Sequence, residues 1–264
     1  MNLELAGKSV VITGGASNIG RATVLQFADE GANITIGDID LESAETVAQL
    51  ALTKGAASAQ AIKTDVTDIN SVEAMFHAAS TKYGTVDVLI NGVGWDQPMF
   101  FTHTTPSFWN KVIALNYLGV LNCCKAALDI MIPQNSGSIV SISSDASRQG
   151  EPREAIYGGV KAAVNSVMKT LAKENGRFGI RCNTICPGVT IPDDDEVGKN
   201  SMWTNKEESL TPDQLERITS GLPLKKVGRP QDVAHAVVFL SSNKCAGHIT
   251  GQVLSVSGGY SMVG

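Results

Sequence analysis

A tyrosine and a lysine four residues apart, Tyr157 and Lys161, are the side chains of this sequence best spaced for chemistry. Residues four apart share one face of a helix, so the lysine ammonium can lie near the phenolic oxygen. A tyrosine with its ordinary pKa of about 10 is a poor base at neutral pH, but a nearby cation favours the phenolate. The pair therefore predicts that Tyr157 moves a proton and that Lys161 lowers its pKa. The alternative is that Tyr157 is a core residue of an amphipathic helix.

A glycine-rich turn near the start of the chain predicts a binding site. The β-branched run Ser9–Thr13 reads as a strand, Gly14 and Gly20 bound the turn, and a helical pattern follows to Glu30. In an open parallel sheet, such a turn sets backbone N–H groups and the positive end of a helix against a phosphate. We therefore expect a dinucleotide phosphate here, with a merely flexible turn as the alternative.

Asp38 indicates which dinucleotide this site prefers. It follows the second predicted strand, 18 residues after Gly20, where a carboxylate accepts hydrogen bonds from both ribose hydroxyls and repels a 2′-phosphate. The residues at positions 17 and 37 are not basic. The pattern favours NAD(H) over NADP(H), and the alternative is that Asp38 is a solvated turn residue.

Two later strand ends add candidate contacts to the same ligand. Asp65 and Val66 follow the third predicted strand, where the Asp65 carboxylate would accept a hydrogen bond from an adenine amino group. Asn91 and Gly92 follow the fourth strand, and a glycine lets the backbone approach a cofactor closely. Turn capping by Asp65 and a tight turn without any ligand are the competing explanations.

Strand-like and helix-like segments alternate along most of the chain, without tandem repeats or a linker. We predict a single-domain α/β fold over residues 1–264, a Rossmann-like, doubly wound parallel sheet of about seven strands with helices on both faces. The predicted strands are Ser9–Thr13, Asn33–Gly37, Ala59–Lys63, Val86–Asn91, Gly137–Ser143, Arg181–Cys186 and Val253–Val256. The later predicted helices are Leu41–Lys54, Ile69–Tyr83, Phe108–Met131, Tyr157–Phe178, Thr211–Ser220 and Gln231–Ser241.

Composition and charge exclude several function classes. The 264 residues carry 26 acidic and 21 basic side chains, a net charge of −5, which is the wrong sign for gathering nucleic acid or anionic lipid. No uninterrupted apolar run approaches the roughly 18 residues of a membrane span, and no signal-like segment begins the chain, so we expect a cytoplasmic protein without a membrane partner. The five cysteines lack C-x-x-C spacing, which predicts small buried hydrophobes and no metal site.

Together these segments resemble the short-chain dehydrogenase/reductase family, and the resemblance covers nearly the whole chain. Any one matching segment can arise by chance, whereas all of them in this order are highly specific. The matching segments are Thr13 to Gly20, Asp65, Asn91 to Gly94, Asn116, Ser144, Tyr157-Gly-Gly-Val-Lys161 and Pro187-Gly188.

The resemblance implies catalytic roles for four residues. Ser144 would hydrogen-bond the substrate oxygen, and family spacing selects it over its neighbours Ser141 and Ser143. Lys161 would also bind the nicotinamide ribose, and Asn116 would hold a water for proton relay. The implied catalytic residues are Asn116, Ser144, Tyr157 and Lys161.

The resemblance also implies an NAD site, with three departures from the usual pattern. Asn18 stands where the family usually has glycine, Gly92 replaces an asparagine, and Pro192 replaces a frequent threonine, which removes one hydrogen bond to the cofactor. Asparagine is among the residues that best tolerate a positive φ, so these changes concern cofactor affinity more than chemistry. The implied cofactor-binding residues are Gly14, Ser17, Asn18, Ile19, Gly20, Asp38, Asp65, Val66, Asn91, Gly92, Tyr157, Lys161, Pro187, Gly188, Val189 and Thr190.

The predicted substrate cleft is bulky and apolar with polar edges, beneath a lid at about residues 188–222. Such a lining suits a cyclic or branched hydrophobic alcohol or ketone, while the arginines would meet a carboxylate or the phosphates of a CoA thioester. Solvated lid charges are the simpler alternative. The run from Val93 to Asp96 resembles family members that act on hydroxyacyl-CoA compounds. The predicted substrate residues are Trp95, Phe100, Arg148, Arg153 and Trp203.

Three functions remain open at this point. The first is an NAD-dependent dehydrogenase of a β-hydroxyacyl-CoA or a related hydroxy compound, and the second is the same chemistry on a free cyclic alcohol, diol or steroid-like ketone. The third is a non-catalytic NAD-binding subunit of a hetero-oligomer, against which the intact Ser144, Tyr157 and Lys161 speak. The resemblance further implies a homotetramer or homodimer built on the two long helices.

Overall fold

A single parallel sheet lies at the centre of the protein. The computed structural model describes residues 2–198, 204 and 211–263. Within these residues the spatial strand order is β3-β2-β1-β4-β5-β6-β7, with all neighbouring pairs parallel. The strands are β1 (Ser9–Thr13), β2 (Asn33–Asp38), β3 (Ser58–Lys63), β4 (Val88–Asn91), β5 (Gly137–Ile142), β6 (Ile180–Pro187) and β7 (Val253–Val256).

Helices connect the strands, and several begin at capped residues. Asp40, Asp68 and Thr105 each accept a hydrogen bond from a backbone N–H of the first helical turn, which satisfies a donor that has no partner inside the helix. The helices of the described residues are α1 (Asn18–Asp29), α2 (Leu41–Lys54), α3 (Ile69–Tyr83), α4 (Pro106–Ile113), α5 (Gly119–Gln134), α6 (Ala146–Gln149), α7 (Ala155–Asn175), α8 (Pro212–Gly221), α9 (Pro230–Ser241) and α10 (Asn243–Ala246).

Both faces of the sheet are buried under helices. Successive strand residues point to opposite faces, and neighbours such as Val11 and Ile12 accordingly belong to different apolar clusters. One cluster contains Phe27 of α1, and the other contains Phe76 of α3 and Met168 of α7. This arrangement confirms the predicted single-domain, Rossmann-like fold with a seven-stranded parallel sheet.

The structure corrects several predicted element bounds. β4 begins at Val88 rather than Val86. The preceding Asp87 carboxylate accepts hydrogen bonds from Lys8 Nζ and Ser9 N. The predicted helix Phe108–Met131 is longer, and a π-helical turn over Ala114–Leu118 joins its two α-helical parts. The four-residue helices α6 and α10 are too short to show a helical period in the sequence.

The composite helix Pro106–Gln134 has the length and hydropathy of a membrane span, contrary to the expectation from apolar runs. Half of its most apolar window is buried inside the fold. Val120 and Met131 of this helix are buried in the apolar cluster that also includes Leu89 and Ile139 of the sheet. A core helix passes the same test of length and composition, so this finding is weak evidence for a membrane.

Candidate active site

The strand register brings the predicted cofactor segments to one edge of the sheet. Thr13 at the end of β1 pairs with Gly37 on one side and with Asn91 on the other. Asn91 in turn pairs with Ser141 of β5. The connections leave β1 and β4 in opposite directions along the sheet, and ligands of such sheets bind beyond the strand ends at this switch point.

Three glycines form a tightly packed cradle at this edge. Gly14 has φ +69°. A Cβ at Gly20 would lie 1.9 Å from the carbonyl oxygen of Gly14. A Cβ at Gly92 would lie 2.5 Å from the carbonyl oxygen of Thr13. A side chain at either position would displace the backbone, so the departure at Gly92 has a packing reason in this chain.

Asn18 and Ser17 complete the turn that begins at Gly14. Asn18 has φ +49°, as expected of an asparagine in place of a glycine. Ser17 is extended, and a Cβ at Gly198 would lie 2.8 Å from the Ser17 Cβ. Because Gly198 packs against Ser17, the first part of the predicted lid lies against the glycine-rich turn. In the first turns of α1, the Ile19 carbonyl accepts a hydrogen bond from Thr23 Oγ1 at 2.7 Å.

Asp38 is held at the end of β2 against the same turn. Its Oδ2 accepts a hydrogen bond from Ala16 N at 3.0 Å, and its Oδ1 accepts one from Asp40 N at 3.1 Å. Burial raises the pKa of Asp38, and these backbone hydrogen bonds oppose the rise. The carboxylate is thus half-buried beside the glycine-rich turn.

The strand ends of β3 and β4 contribute differently. Asp65 is exposed, and its Oδ1 accepts hydrogen bonds from the backbone N and the hydroxyl of Thr67, so turn capping explains that oxygen. Val66 is 3% exposed and packs in the core. Asn91 is also buried and donates to Ser141 Oγ at 3.0 Å. The adenine contact therefore stays a prediction.

The segment after β6 is fixed by the last strand and by the loop before α9. Gly188 N donates to Val256 O at 3.1 Å, and Gly228 N donates to Val189 O at 2.9 Å. Thr190 Oγ1 donates to Gly188 O. Pro187, Gly188, Val189 and Thr190 therefore lie at the same sheet edge as the glycine cradle.

Ser144, Tyr157 and Lys161 come together behind this cradle. Lys161 is 2% exposed, its Nζ donates to Ile142 O at 3.0 Å and lies 5.5 Å from the centre of the Tyr157 ring. The Ser144 side chain is close enough to Tyr157 to form a hydrogen bond with its phenol. Ser144 Oγ also accepts a hydrogen bond from Ala146 N at 3.1 Å. Ser143 instead donates to Lys161 O, which supports Ser144 as the serine beside the phenol.

Asn116 lies in the π-helical turn of the composite helix. It is completely buried; its Nδ2 donates to Trp95 O at 2.7 Å and its Oδ1 accepts from Trp95 N at 3.2 Å. Nδ2 also donates to Val112 O. π-Helical turns are rare and frequent at functional sites. Asn116 clamps the backbone after β4, and its implied role in a water relay stays a prediction.

The protein's own groups do not give Tyr157 the lowered pKa that the sequence predicts. Burial raises the pKa of Tyr157, the negative charges of Glu154 and Asp96 raise it further, and the hydrogen bond with Ser144 lowers it. Burial also lowers the pKa of Lys161 to about 8, because the ammonium has lost its hydration. The expectation considered the ammonium alone and left out burial and the two carboxylates.

Those carboxylates form a feature that the sequence analysis did not identify. Asp96 is 5% exposed and its Oδ2 is buried without a hydrogen-bond partner. Burial raises the pKa of Asp96 to about 6, and burial together with Asp96 and Glu151 raises the pKa of Glu154 to about 7. The available signal was the position of Glu154, three residues before Tyr157 and immediately before the first residue of α7.

The predicted substrate residues are not all gathered in one cleft. The Trp95 ring packs on Phe108, with Lys111 Nζ 3.6 Å from its centre, and Phe100 is 59% exposed. Arg148 lies near Asp145 and donates to Val263 O, while the exposed Arg153 donates to Pro98 O at 3.0 Å. The remaining predicted contact, Trp203, lies outside the described residues.

The cysteines and other metal-binding side chains do not cluster among the described residues. No group of three or more His, Cys, Asp or Glu side chains there has an arrangement that could hold a metal ion. All five cysteines are free thiols, and four of them are buried.

Comparison with known proteins agrees with this geometry. The family model described as "Enoyl-(Acyl carrier protein) reductase" matches residues 14–261. The 3-oxoacyl-(acyl-carrier-protein) reductase FabG of Chlamydia muridarum is 35% identical over 98% of this chain and 99% of its own length. The 2,5-dichloro-2,5-cyclohexadiene-1,4-diol dehydrogenase LinX of Sphingobium indicum is 37% identical over 98% of both chains.

A solved structure shows the same fold. The 7α-hydroxysteroid dehydrogenase complexed with NADH and 7-oxo glycochenodeoxycholic acid has a TM-score of 0.88 and 29% identity, over 98% of this chain and 96% of its own. These relatives are named as a reductase and as dehydrogenases, and the steroid dehydrogenase was solved with NADH. The chain belongs to the short-chain dehydrogenase/reductase family, within the group described as enoyl-(acyl carrier protein) reductase.

Proposed function

We propose that this protein is an NAD(H)-dependent dehydrogenase that interconverts a secondary alcohol and a ketone. The observation that carries the proposal is the convergence of Ser144, Tyr157 and Lys161 at the sheet edge that holds the glycine cradle. A non-catalytic subunit would have no need to keep all three. Family membership supports the oxidoreductase class.

The protein's groups fit a nicotinamide dinucleotide. The cradle of Gly14, Gly20 and Gly92 leaves no room for side chains where a pyrophosphate would lie. Asp38 would hold the adenosine ribose, and Lys161 the nicotinamide ribose. The bound cofactor supplies the hydride chemistry.

The side chains around Tyr157 would handle the proton and the developing charge. In oxidation, the Tyr157 phenolate accepts the alcohol proton as the C–H bond breaks, and in reduction the phenol returns it. Ser144 Oγ donates a hydrogen bond to the substrate oxygen as its charge changes. Lys161, anchored by Ile142 O, supplies a positive charge near the phenolate.

Asp38 supports NAD rather than NADP as the cofactor. A carboxylate at this position repels a 2′-phosphate, and its two backbone hydrogen bonds keep it beside the turn. The test is kcat/KM with both cofactors in the native protein and in Asp38→Ser. We expect native NAD preference of at least about tenfold, which the variant loses; a native preference for NADP would overturn this part of the proposal.

For the substrate, we propose first a β-hydroxyacyl thioester, such as a CoA derivative, and second a free cyclic alcohol or diol. The FabG relatives are named for an acyl-carrier substrate, which supports the first. Arg148 and Arg153, which were expected to meet the phosphates of a CoA thioester, instead donate hydrogen bonds to backbone carbonyls. This observation favours the second candidate. The relative named for a cyclohexadiene diol also supports it.

Initial-rate assays separate these two candidates. Purified protein is mixed with NAD⁺ and either 3-hydroxybutyryl-CoA or cyclohexanol and cyclohexanediols, and NADH absorbance is followed. Turnover of the thioester alone supports the first candidate and turnover of the cyclic alcohols alone supports the second. Bound NADH without oxidation of any alcohol would contradict the proposed reaction.

We also propose a cytoplasmic homotetramer or homodimer built on α5 and α7. Light scattering of the purified chain measures its mass directly, and a monomer at micromolar concentration would contradict this proposal.

A further inference from the structure

A chain of hydrogen bonds behind Ser144 involves side chains to which the proposed reaction gives no role. Asn165 Nδ2 of α7 donates to Ser147 Oγ of α6 at 2.7 Å. Ser147 Oγ donates in turn to the backbone carbonyl oxygen of Ser144 at 2.5 Å. Both distances lie at the short end of the range for such bonds. The chain therefore connects α7 to the turn that carries the proposed catalytic serine.

The hydrogen atoms available in this chain fix its direction. A serine hydroxyl has one hydrogen, and an asparagine amide donates only through Nδ2. Ser147 accepts from Asn165, so its own hydrogen goes to the Ser144 carbonyl. The Cys186 thiol donates to Asn165 Oδ1 at 3.9 Å, and it stays protonated because burial raises its pKa. Cys186 thus holds the amide with its donor group towards Ser147.

Asn165 shares a helix face with two of the proposed catalytic residues. It lies four residues after Lys161 and eight after Tyr157 within α7, a spacing that places side chains on one face of a helix. Ser143 Oγ donates to the Lys161 carbonyl oxygen at 3.0 Å, so the residue before Ser144 contacts this helix as well. The chain from Asn165 therefore relates Ser144 to the same helix that carries Tyr157 and Lys161.

The backbones of α6 and α7 approach each other closely next to Tyr157. Gly158 is buried, and a Cβ there would lie 2.9 Å from the Ala146 carbonyl oxygen. Seven residues further along α7, the bond between Asn165 and Ser147 ties the two helices together again. Two contacts about two helical turns apart fix the angle between α6 and α7 as well as their separation, whereas the contact at Gly158 alone would fix only the separation.

The backbone of the turn that bears Ser144 is bound to the sheet. Ser143 N donates to Ile185 O at 2.7 Å, and Asp145 N also donates to a β6 carbonyl, at 3.0 Å. Ser144 and Tyr157 thus come from different elements, but their hydroxyl groups must reach one substrate oxygen. A misplacement of about 1 Å costs a reaction up to about 100-fold in rate, so the link between this turn and α7 bears on catalysis.

We propose that Ser147 and Asn165 are positioning residues, which hold the Ser144 hydroxyl in reach of the substrate oxygen that exchanges its proton with Tyr157. This inference rests on the proposed dehydrogenase function. Asn165 acts through Ser147, and Ser147 acts through the Ser144 carbonyl. Their loss therefore lowers kcat, because the hydrogen bond from Ser144 strengthens in the transition state, and it leaves cofactor binding and KM near their native values.

The test is a double-mutant cycle in the whole chain. kcat, KM and NADH binding are measured for Ser147→Ala, Ser144→Ala and the double variant, with NAD⁺ and the alcohol that the native protein oxidises fastest. Asn165→Leu probes the same chain of bonds with a side chain of similar size. Ser166→Ala is the matched control, because Ser166 is an exposed serine next to Asn165. Melting curves check that each variant is folded at the assay temperature.

We expect Ser147→Ala to lower kcat about tenfold and Asn165→Leu to lower it about threefold, since only Ser147 bonds directly to the Ser144 carbonyl. Ser144→Ala costs about 100-fold in kcat. Adding Ser147→Ala to it changes kcat by less than about twofold, because the residue through which Ser147 acts is gone. The control keeps the native rate. Native kcat in either Ser147→Ala or Asn165→Leu, or a loss that persists undiminished in the double variant, overturns the inference.

Crystal structures keep the inference separate from the proposed function. If no alcohol is oxidised, the proposed function fails, and structures of the native protein and of Ser147→Ala still decide the inference. A distance between Ser144 Oγ and Tyr157 Oη that lengthens by about 0.5 Å or more in the variant supports it. An unchanged distance overturns it.

Discussion

The pH dependence of alcohol oxidation in Glu154→Gln is the prediction that follows most directly from the charges around Tyr157. A negative charge beside a phenol disfavours the phenolate, so Glu154 raises the pKa of Tyr157. Removing that charge lowers the pKa. Oxidation needs the phenolate, and its rate therefore rises with pH at lower values in the variant than in the native protein.

The size of this shift follows from the separation of the two groups. Glu154 immediately precedes α7 and Tyr157 lies in its first turn, so we take about 7 Å between the two charges as the order of magnitude for neighbouring side chains. At that distance their interaction is about 0.6 kcal/mol at the dielectric constant of water and about 2.4 kcal/mol at an effective value of about 20. These energies correspond to about 0.4 and 1.7 pH units. For a half-buried Glu154 we expect about one unit.

The assay is the pH profile of kcat/KM for cyclohexanol with NAD⁺ between pH 6 and 10. Cyclohexanol carries a single hydroxyl group, so the profile reports the reaction at the phenol. Glu174, an exposed carboxylate on the same helix, provides the control, and Glu174→Gln should keep the native profile. An unshifted profile, or one displaced to higher pH in Glu154→Gln, would refute this account of the charges at Tyr157.

Three further predictions concern stability and the cradle. Burial lowers the pKa of Lys161 to about 8, so at this residue the unfolded chain binds the extra proton between about pH 8 and 10.5. Lys161 alone therefore adds about 3 kcal/mol to the free energy of unfolding over this range, whereas the raised pKa values of buried groups such as Cys123 and Tyr157 act in the opposite direction. Urea titrations at several pH values should show the difference in unfolding free energy between the native protein and Lys161→Met move in favour of the native protein by about 3 kcal/mol from about pH 8 to 10.5. Gly92→Ala places a Cβ 2.5 Å from the Thr13 carbonyl and should lose about 1–3 kcal/mol of stability and weaken NADH binding, measured by fluorescence, whereas Gly159→Ala, with open space, should do neither. Arg181 donates to the carbonyls of Leu240 and Ser241 at the end of α9, so Arg181→Met should lower the urea unfolding free energy by about 2–4 kcal/mol, and a change below 0.5 would contradict that role.

The fold could be predicted because its signals are local. Leu41–Lys54 and Ile69–Tyr83 are bounded by an aspartate before and a glycine after, and the structure has these same bounds. Strands buried on both faces read as continuous apolar runs. The π-helical turn at Asn116 carries no such signal in the sequence, and the Trp95 backbone that Asn116 bonds is 21 residues away.

The candidate site could be predicted only in part. Ser144, Tyr157 and Lys161 are recognisable because two of them share a helix face and the third precedes them at a characteristic spacing. Asp96 and Glu154 lie 58 positions apart, and only folding brings their charges together. The pKa of Tyr157 was therefore predicted in the wrong direction, since it depends on burial, on the neighbouring Glu154 and on Asp96, which is distant in the sequence.

The central claim is that Tyr157 carries the proton in a nicotinamide-dependent oxidation of a secondary alcohol. Its most direct test is Tyr157→Phe, assayed for NADH formation with the best alcohol substrate and for NADH binding by fluorescence. The account predicts a loss in kcat of at least about 100-fold with cofactor binding retained. A variant that oxidises the alcohol at the native rate would contradict it.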